Sequence, residues 1–203
     1  MPAPSPVLSD CTGGAVPGAD CPVPLAAGDD GAVLFPQAQP LVLDLGCGNG
    51  AFLSGLAAAC PGWNILGVEK KDYRVHQARR RASDLPNAGI VRGEAMEVLR
   101  SLPGRSVARA YLLFSDPWPK RRHAVRRLVQ PEFIALLGSC FEPGGVFFFA
   151  SDSRDYARWA EALFRSARWR VAPWDVSADW PRTEFEQRFL SAGFNIGRFQ
   201  AAR

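Results

Sequence analysis

Three carboxylates and one glycine-rich run are the residues of this 203-residue chain best able to do chemistry together. Asp44-Leu-Gly-Cys-Gly-Asn-Gly50 leaves a first short apolar run, Glu69 ends a second, and Glu94 follows a third. Gly46, Gly48 and Gly50 allow a sharp turn and a close backbone approach to a ligand, because no Cβ intervenes. Alone, such a turn could serve a dinucleotide, another nucleotide, or merely a connection. The spacing here is G-x-G-x-G, not the G-x-G-x-x-G that favours a pyrophosphate, and Asp44 at the mouth of the loop repels a phosphate. A carboxylate there suits a cofactor bearing a sulfonium and an amino group; a cap on the turn is the plainer alternative. Glu69 lies 19 residues beyond Gly50, where an acid can accept hydrogen bonds from both hydroxyls of a ribose. Glu94 could accept from an adenine amine, or stand as the exposed first-turn acid of a helix. The ordered set is far more specific than any member.

A second constellation is Phe114-Ser-Asp-Pro-Trp-Pro-Lys120. Its two prolines exclude helix or ladder continuation on either side of Trp118, so the spacing predicts a rigid loop. Asp116 accepts, Lys120 donates and carries charge, and Trp118 offers a flat surface. A proline-stiffened connection around a buried Trp is the bland alternative. Five Lys or Arg residues then fall within Lys120–Arg127, with no acid from Pro117 to Pro131. A solvated helix face usually alternates its signs; this stretch does not, and phosphate binding is its natural use. A localisation signal or plain solubility would explain it less specifically.

The elements that must position these groups are legible as periodicity. Leu41–Leu45, Ile65–Glu69, Gly89–Arg92, Ala110–Phe114 and Val146–Ala150 read as buried strands, with helices expected over 51–60, 72–83, 94–101, 129–141 and 153–165. Alternation of this kind implies an α/β fold, a parallel sheet with helices on both faces. Gly144–Gly145 is expected to turn into the fifth strand. Trp169–Ala172 and Phe194–Phe199 are expected to close the sheet as an antiparallel pair. In such a sheet ligands bind at the carboxyl ends of the strands, where strand order reverses, which is where both constellations fall.

Composition sets the outer bounds. Hydrophobic residues make up 47% and charged residues 22%, which is ordinary for a globular domain. No apolar run is long enough to span a bilayer, and the N-terminus lacks the pattern of a secretory signal, so a cytoplasmic protein is expected. The first 40 residues hold eight of the 17 prolines and four Asp against no Lys or Arg. Residues 1–33 are therefore expected to be a disordered Pro/Ala/Gly-rich tail, and 34–203 a single domain. The remaining 163 residues carry +8, 24 basic against 16 acidic, a balance compatible with a polyanionic partner. Cys11, Cys21, Cys47, Cys60 and Cys140 include no C-x-x-C pair; reduced thiols and no metal site are expected.

From Leu41 to Phe199 the chain resembles the bacterial tRNA (guanine-N7-)-methyltransferases, class I enzymes that use S-adenosylmethionine. The resemblance rests on Ser115-Asp-Pro-Trp-Pro-Lys, Arg122-His-x-x-Arg-Arg-Leu128, Ser151-Asp152, and Thr183-Glu-Phe-Glu186 ahead of Gly193-Phe-Asn-Ile. It implies a Rossmann-like, mostly parallel seven-stranded sheet with a C-terminal antiparallel strand, and methyl transfer to guanine N7 at tRNA position 46. Asp44, Gly46, Gly48, Glu69, Glu94 and Asp116 then hold the cofactor, with Asp116 the catalytic candidate. Lys120, Asp152, Thr183, Glu184, Phe185 and Glu186 bind substrate, and Arg122, His123, Arg126 and Arg127 touch RNA. The partner is tRNA, with neither membrane nor metal, and the protein a monomer or homodimer. The chain departs from the family's usual pattern at Asp44 (usually Glu), Glu94 (usually Asp), Val125 (usually Lys) and Phe185 (usually Tyr). A class I methyltransferase for another RNA, a protein or a small molecule is the nearest alternative. An NAD(P)-dependent oxidoreductase and a non-catalytic RNA-binding protein are remoter.

Overall fold

The computed structural model describes residues 35–203, together with a two-residue antiparallel pairing of Leu25–Ala26 with Ala32–Val33. Apart from that pairing, the tail expected over 1–33 lies outside the described residues. The sheet has seven strands: β1 (Leu41–Leu45), β2 (Asn64–Glu69), β3 (Ala88–Arg92), β4 (Val107–Leu113), β5 (Phe141–Ser151), β6 (Arg170–Pro173) and β7 (Gly197–Ala202). Their spatial order is β3-β2-β1-β4-β5-β7-β6. The neighbours from β3 through β5 are parallel, and β7 runs antiparallel between β5 and β6. The chain starts at the centre, winds out to β3, then returns to lay β4 on the other side of β1. A crevice opens at that reversal, above the carboxyl ends of β1 and β4.

Strand parity decides which side chains meet which helices, since successive residues face opposite sides. Leu41, Leu43 and Leu45 pack with α3 (Ala95–Ser101), α4 (Pro131–Cys140) and α5 (Arg154–Ser166), through Val98, Phe133, Tyr156 and Phe164. Val42 faces the other side, toward α1 (Ala51–Ala59) and α2 (Asp72–Arg81), through Phe52, Leu53, Val75 and Ala78. Asp44 shares the parity of Val42, so its carboxylate is directed to the α1 side at the strand's end.

Beyond β6, the α1 face is covered by irregular chain rather than by a helix. Trp174 and Trp180 pack on Tyr111, 6.1 Å between ring centroids in each case. Pro181 sits against Gly55, where a Cβ would come within 3.0 Å of it. This anchoring delivers Thr183 to the crevice, where α6 (Glu184–Ser191) begins. The expected elements fall where periodicity put them, apart from shifted ends. β4 stops at Leu113 because Phe114 turns to φ +55°, and β5 begins before Gly144, which takes φ +86° within it. Helix α6 is the element that periodicity missed. Cys47 and Cys140 are free, buried thiols. Cys60 is disulfide-bonded, which corrects the expectation of reduced cysteines: spatial proximity, not sequence spacing, decides which thiols can join.

Candidate active site

The turn after β1 is built from main-chain hydrogen bonds. Gly46 and Cys47 both donate to the Val68 carbonyl of β2, at 2.7 and 3.0 Å. Gly46, Gly48 and Gly50 have φ of +80°, +59° and +78°, values that an L side chain rarely adopts. At Gly50 a Cβ would also lie 2.9 Å from Ala78 of α2, so glycine is required there for helix approach. Glu69 ties the turn to β2. One carboxylate oxygen accepts from Gly48 N–H at 3.1 Å, the other from Lys71 N–H at 2.9 Å. Each oxygen keeps a second lone pair for a ligand hydroxyl.

Asp44 is only 2% exposed, and its Oδ2 is buried with no hydrogen-bond partner among the described residues. Burial, and secondarily the neighbouring Glu69 charge, push its carboxyl from 3.8 up to about 7. A rise of that size corresponds to about 4 kcal/mol, more than one buried leucine side chain contributes at ~2 kcal/mol. A cationic ligand would remove the penalty, and with Glu69 the pair suits a cofactor carrying both a positive charge and a ribose.

The glycine turn borders a cleft of ≈240 Å³ lined by Gly46, Gly48, Phe52, Arg74, Phe114 and Thr183 among others, while Asp44 and Glu69 are buried and are not part of its lining. Three elements meet at its rim. Arg81 of α2 donates to Asn49 Oδ1 of the turn at 3.0 Å and to Glu184 Oε1 of α6 at 3.2 Å. Hydrogen bonds from Asn49 and Arg81 hold the Glu184 carboxyl below the usual range. Phe185 is exposed under the Arg74 guanidinium, 5.7 Å away, and stacks on Phe189. Asn49, Arg74 and Arg81 were not picked out by sequence reasoning.

Other expected site residues lie around this cleft rather than in it. Glu94 occupies the position before α3, ion-paired to Lys70 at 3.3 Å on an exposed surface. Asp116 and Lys120 are exposed in the loop after β4, and Asp152 is half-buried just past β5. Leu113 pairs in register with Ala150, so Asp116 and Asp152 leave the sheet at the same edge. Glu186 is buried, and its Oε1 accepts from Arg198 at 2.5 Å and Arg182 at 3.2 Å. Thr183 Oγ1 accepts from Glu186 N–H at 2.9 Å, a helix cap. The Thr-x-x-Glu spacing is the start signal that could have revealed α6.

The basic stretch forms a 3-10 turn, Arg121–Arg126. Arg122 and Arg126 are exposed; Arg126 lies over the Trp118 ring at 5.0 Å and His123 meets that ring edge-on at 5.9 Å. Arg127, expected beside them as an RNA contact, is instead buried. Its Nε donates to the Pro117 carbonyl at 2.8 Å and its Nη2 to Asp155 at 2.5 Å. No sequence signal marks that role, because Asp155 is 28 residues away. Among the described residues, no cluster of three or more His, Cys, Asp or Glu could hold a metal, and no helix is long and apolar enough to cross a membrane.

Residues 38–198 match the family described as "Putative methyltransferase". The tRNA (guanine-N(7)-)-methyltransferase of Halorhodospira halophila is 38% identical over 80% of this chain and 74% of its own length. That of Nitrosococcus oceani is 36% identical over 81% and 72%. Among solved structures, the 16S rRNA methyltransferase KamB shares the fold at a TM-score of 0.61 and 18% identity, over 87% of this chain and 96% of that one. Fold, turn, cleft and sequence agree, and the chain belongs to the tRNA (guanine-N(7)-)-methyltransferase family.

Proposed function

We propose that this protein transfers a methyl group from S-adenosylmethionine to N7 of a guanine in tRNA, at position 46. The observation that carries the reading is a single cleft whose walls include both the glycine turn of β1 and the Thr183–Phe185 segment. Cofactor and base would thus meet across one space. S-adenosylmethionine, the cofactor this family uses, supplies an electrophilic methyl on a cationic sulfur. Asp44 faces its positive charge, Glu69 accepts from its ribose hydroxyls, and Gly46 and Gly48 allow the close approach. Glu94, two residues past β3, takes the adenine side only by turning from Lys70.

Guanine N7 carries a lone pair on the major-groove edge, so no strong general base is needed. Positioning supplies most of the catalysis. Asp116 orients the base through N1–H and the 2-amino group, and its charge steadies the purine as it becomes cationic. Asp152, at the same sheet edge, Thr183, Glu184 and Phe185 complete the base pocket, while Glu186 shapes it through Arg182 and Arg198. Lys120, Arg122, His123 and Arg126 contact phosphates, and Arg127 serves the loop from within. Monomer and homodimer are both compatible with this site. We place the reaction in the cytoplasm with tRNA, where a disulfide at Cys60 is unusual and its state is measurable by alkylation in lysed cells. The decisive experiment incubates the protein with S-adenosylmethionine and tRNA lacking N7-methylguanosine, then maps methylated nucleotides by mass spectrometry. Methylation confined to a different base, or to protein, would refute the reading.

A further inference from the structure

The Ser115–Lys120 loop is held in a shape that its own residues resist. Phe114 and Trp118 have φ of +55° and +43°, a region costly for any residue with a Cβ. Such strain persists only where the surroundings over-determine it. At one end, Phe114 N–H donates to Ala150 O at 2.8 Å, tying the loop to β5. At the centre, the Pro117 carbonyl, one residue past Asp116, accepts from Arg127 Nε at 2.8 Å.

We propose that Arg127 is a positioning residue that clamps the Asp116 loop to helix α5 in the geometry needed for methyl transfer; this rests on the function proposed above. The guanidinium works in two directions at once. While Nε holds the loop carbonyl, Nη2 donates to Asp155 in the first turn of α5 at 2.5 Å. Its Cζ lies 5.2 Å from the centroid of the Tyr156 ring and 5.5 Å from that of the Trp159 ring. Tyr156 extends the fastening: its hydroxyl accepts from Val129 N–H at 3.3 Å and from Ser115 Oγ at 3.5 Å. With 4% of its surface exposed, Arg127 has no open face for a phosphate. A lysine retains the charge but lacks the planar fork that serves both acceptors.

The test uses the full chain with Arg127→Lys and Asp155→Asn. For Arg127→Lys, kcat on tRNA should fall about a hundredfold, the penalty for reacting groups displaced by about 1 Å. The KM for tRNA, the affinity for S-adenosylmethionine and the salt dependence of tRNA binding should stay as in the wild type. Asp155→Asn, which leaves the Pro117 bond in place, should lower kcat by a smaller factor. A fluorotryptophan resonance of Trp118, assigned with Trp118→Phe, should shift or broaden in both variants.

An unchanged kcat with a raised KM and a log–log salt slope reduced by ~1 would mean a phosphate contact and overturn the proposal. Parallel losses of thermal stability and cofactor affinity with Trp118 unmoved would mean a general structural role and also overturn it. Should Arg127→Lys fail to fold, Asp155→Asn decides, and wild-type kcat with an unmoved Trp118 overturns it. Should the wild type fail to methylate tRNA, the functional reading falls, and the Trp118 signal alone judges the clamp.

Discussion

The two halves of the site are built differently. On the cofactor side, the β1 turn is shaped by backbone hydrogen bonds to Val68 and by the Glu69 carboxylate, and its acids are buried. On the side proposed to meet RNA, Asp116, Lys120, Arg122 and Arg126 are exposed, and the loop carrying Asp116 accepts a hydrogen bond from the buried Arg127. The first half is prepared for one small ligand of fixed shape, so its cost is met within the fold. The second must admit a large polyanion, so its charges stay in water and only their support is buried. In the proposed reading, burial separates the residues that hold the machinery from those that touch the nucleic acid.

The sharpest break of this comparison is Asp116→Ala. It should abolish N7 methylation, a loss of a thousandfold or more in kcat, while calorimetry shows S-adenosylmethionine still binding. Turnover near the wild-type rate would remove Asp116 from the reaction. Next in size is Glu186→Ala, which leaves Arg182 and Arg198 unpaired beneath α6. Breaking a buried pair costs about 3–5 kcal/mol; Arg182 and Arg198 are partly solvated, so the low end is expected in urea unfolding. Little change would mean that the Glu186 ion pairs do not hold α6 in place.

Asp44→Asn probes the cofactor half through pH. The folded carboxyl sits at about 7 against 3.8 unfolded, so the folded state binds its proton more tightly. Its contribution to stability is complete below pH 4 and is lost as pH rises through 7. The ligand-free wild type should lose stability relative to Asp44→Asn across that window, by an amount of the order of 4 kcal/mol. S-adenosylmethionine should bind the variant more weakly. In the wild type at pH 6.5, binding should release protons, read by calorimetry in buffers of different ionisation enthalpy; no release would mean that Asp44 does not meet the cation. The smallest effect is expected from Arg126→Ala: severalfold weaker tRNA binding and a salt slope lowered by ~1, with the methylated base unchanged. A changed base would make Arg126 part of the pocket.

Much of this was legible before any tertiary contact was known. Apolar runs such as Leu41-Val-Leu mark buried parallel strands because both faces are covered, and an acid beside a glycine turn marks a ligand site because nothing in a core calls for it. The missed helix α6 is short, and its one start signal, the Thr183-x-x-Glu186 cap, lies in the same residues that the family resemblance marks for substrate.

The sequence by itself determined the strand–helix order, the turn chemistry and the acids at the strand ends, all set by neighbours a few residues apart. Tertiary structure alone decided which charges are spent inside the protein. Arg127 and Arg126 are adjacent and alike in sequence, yet one meets Asp155 and the Pro117 carbonyl while the other faces solvent over Trp118. A charge acquires its role from the acceptors that folding brings within hydrogen-bond reach, and those lie on elements distant in the chain.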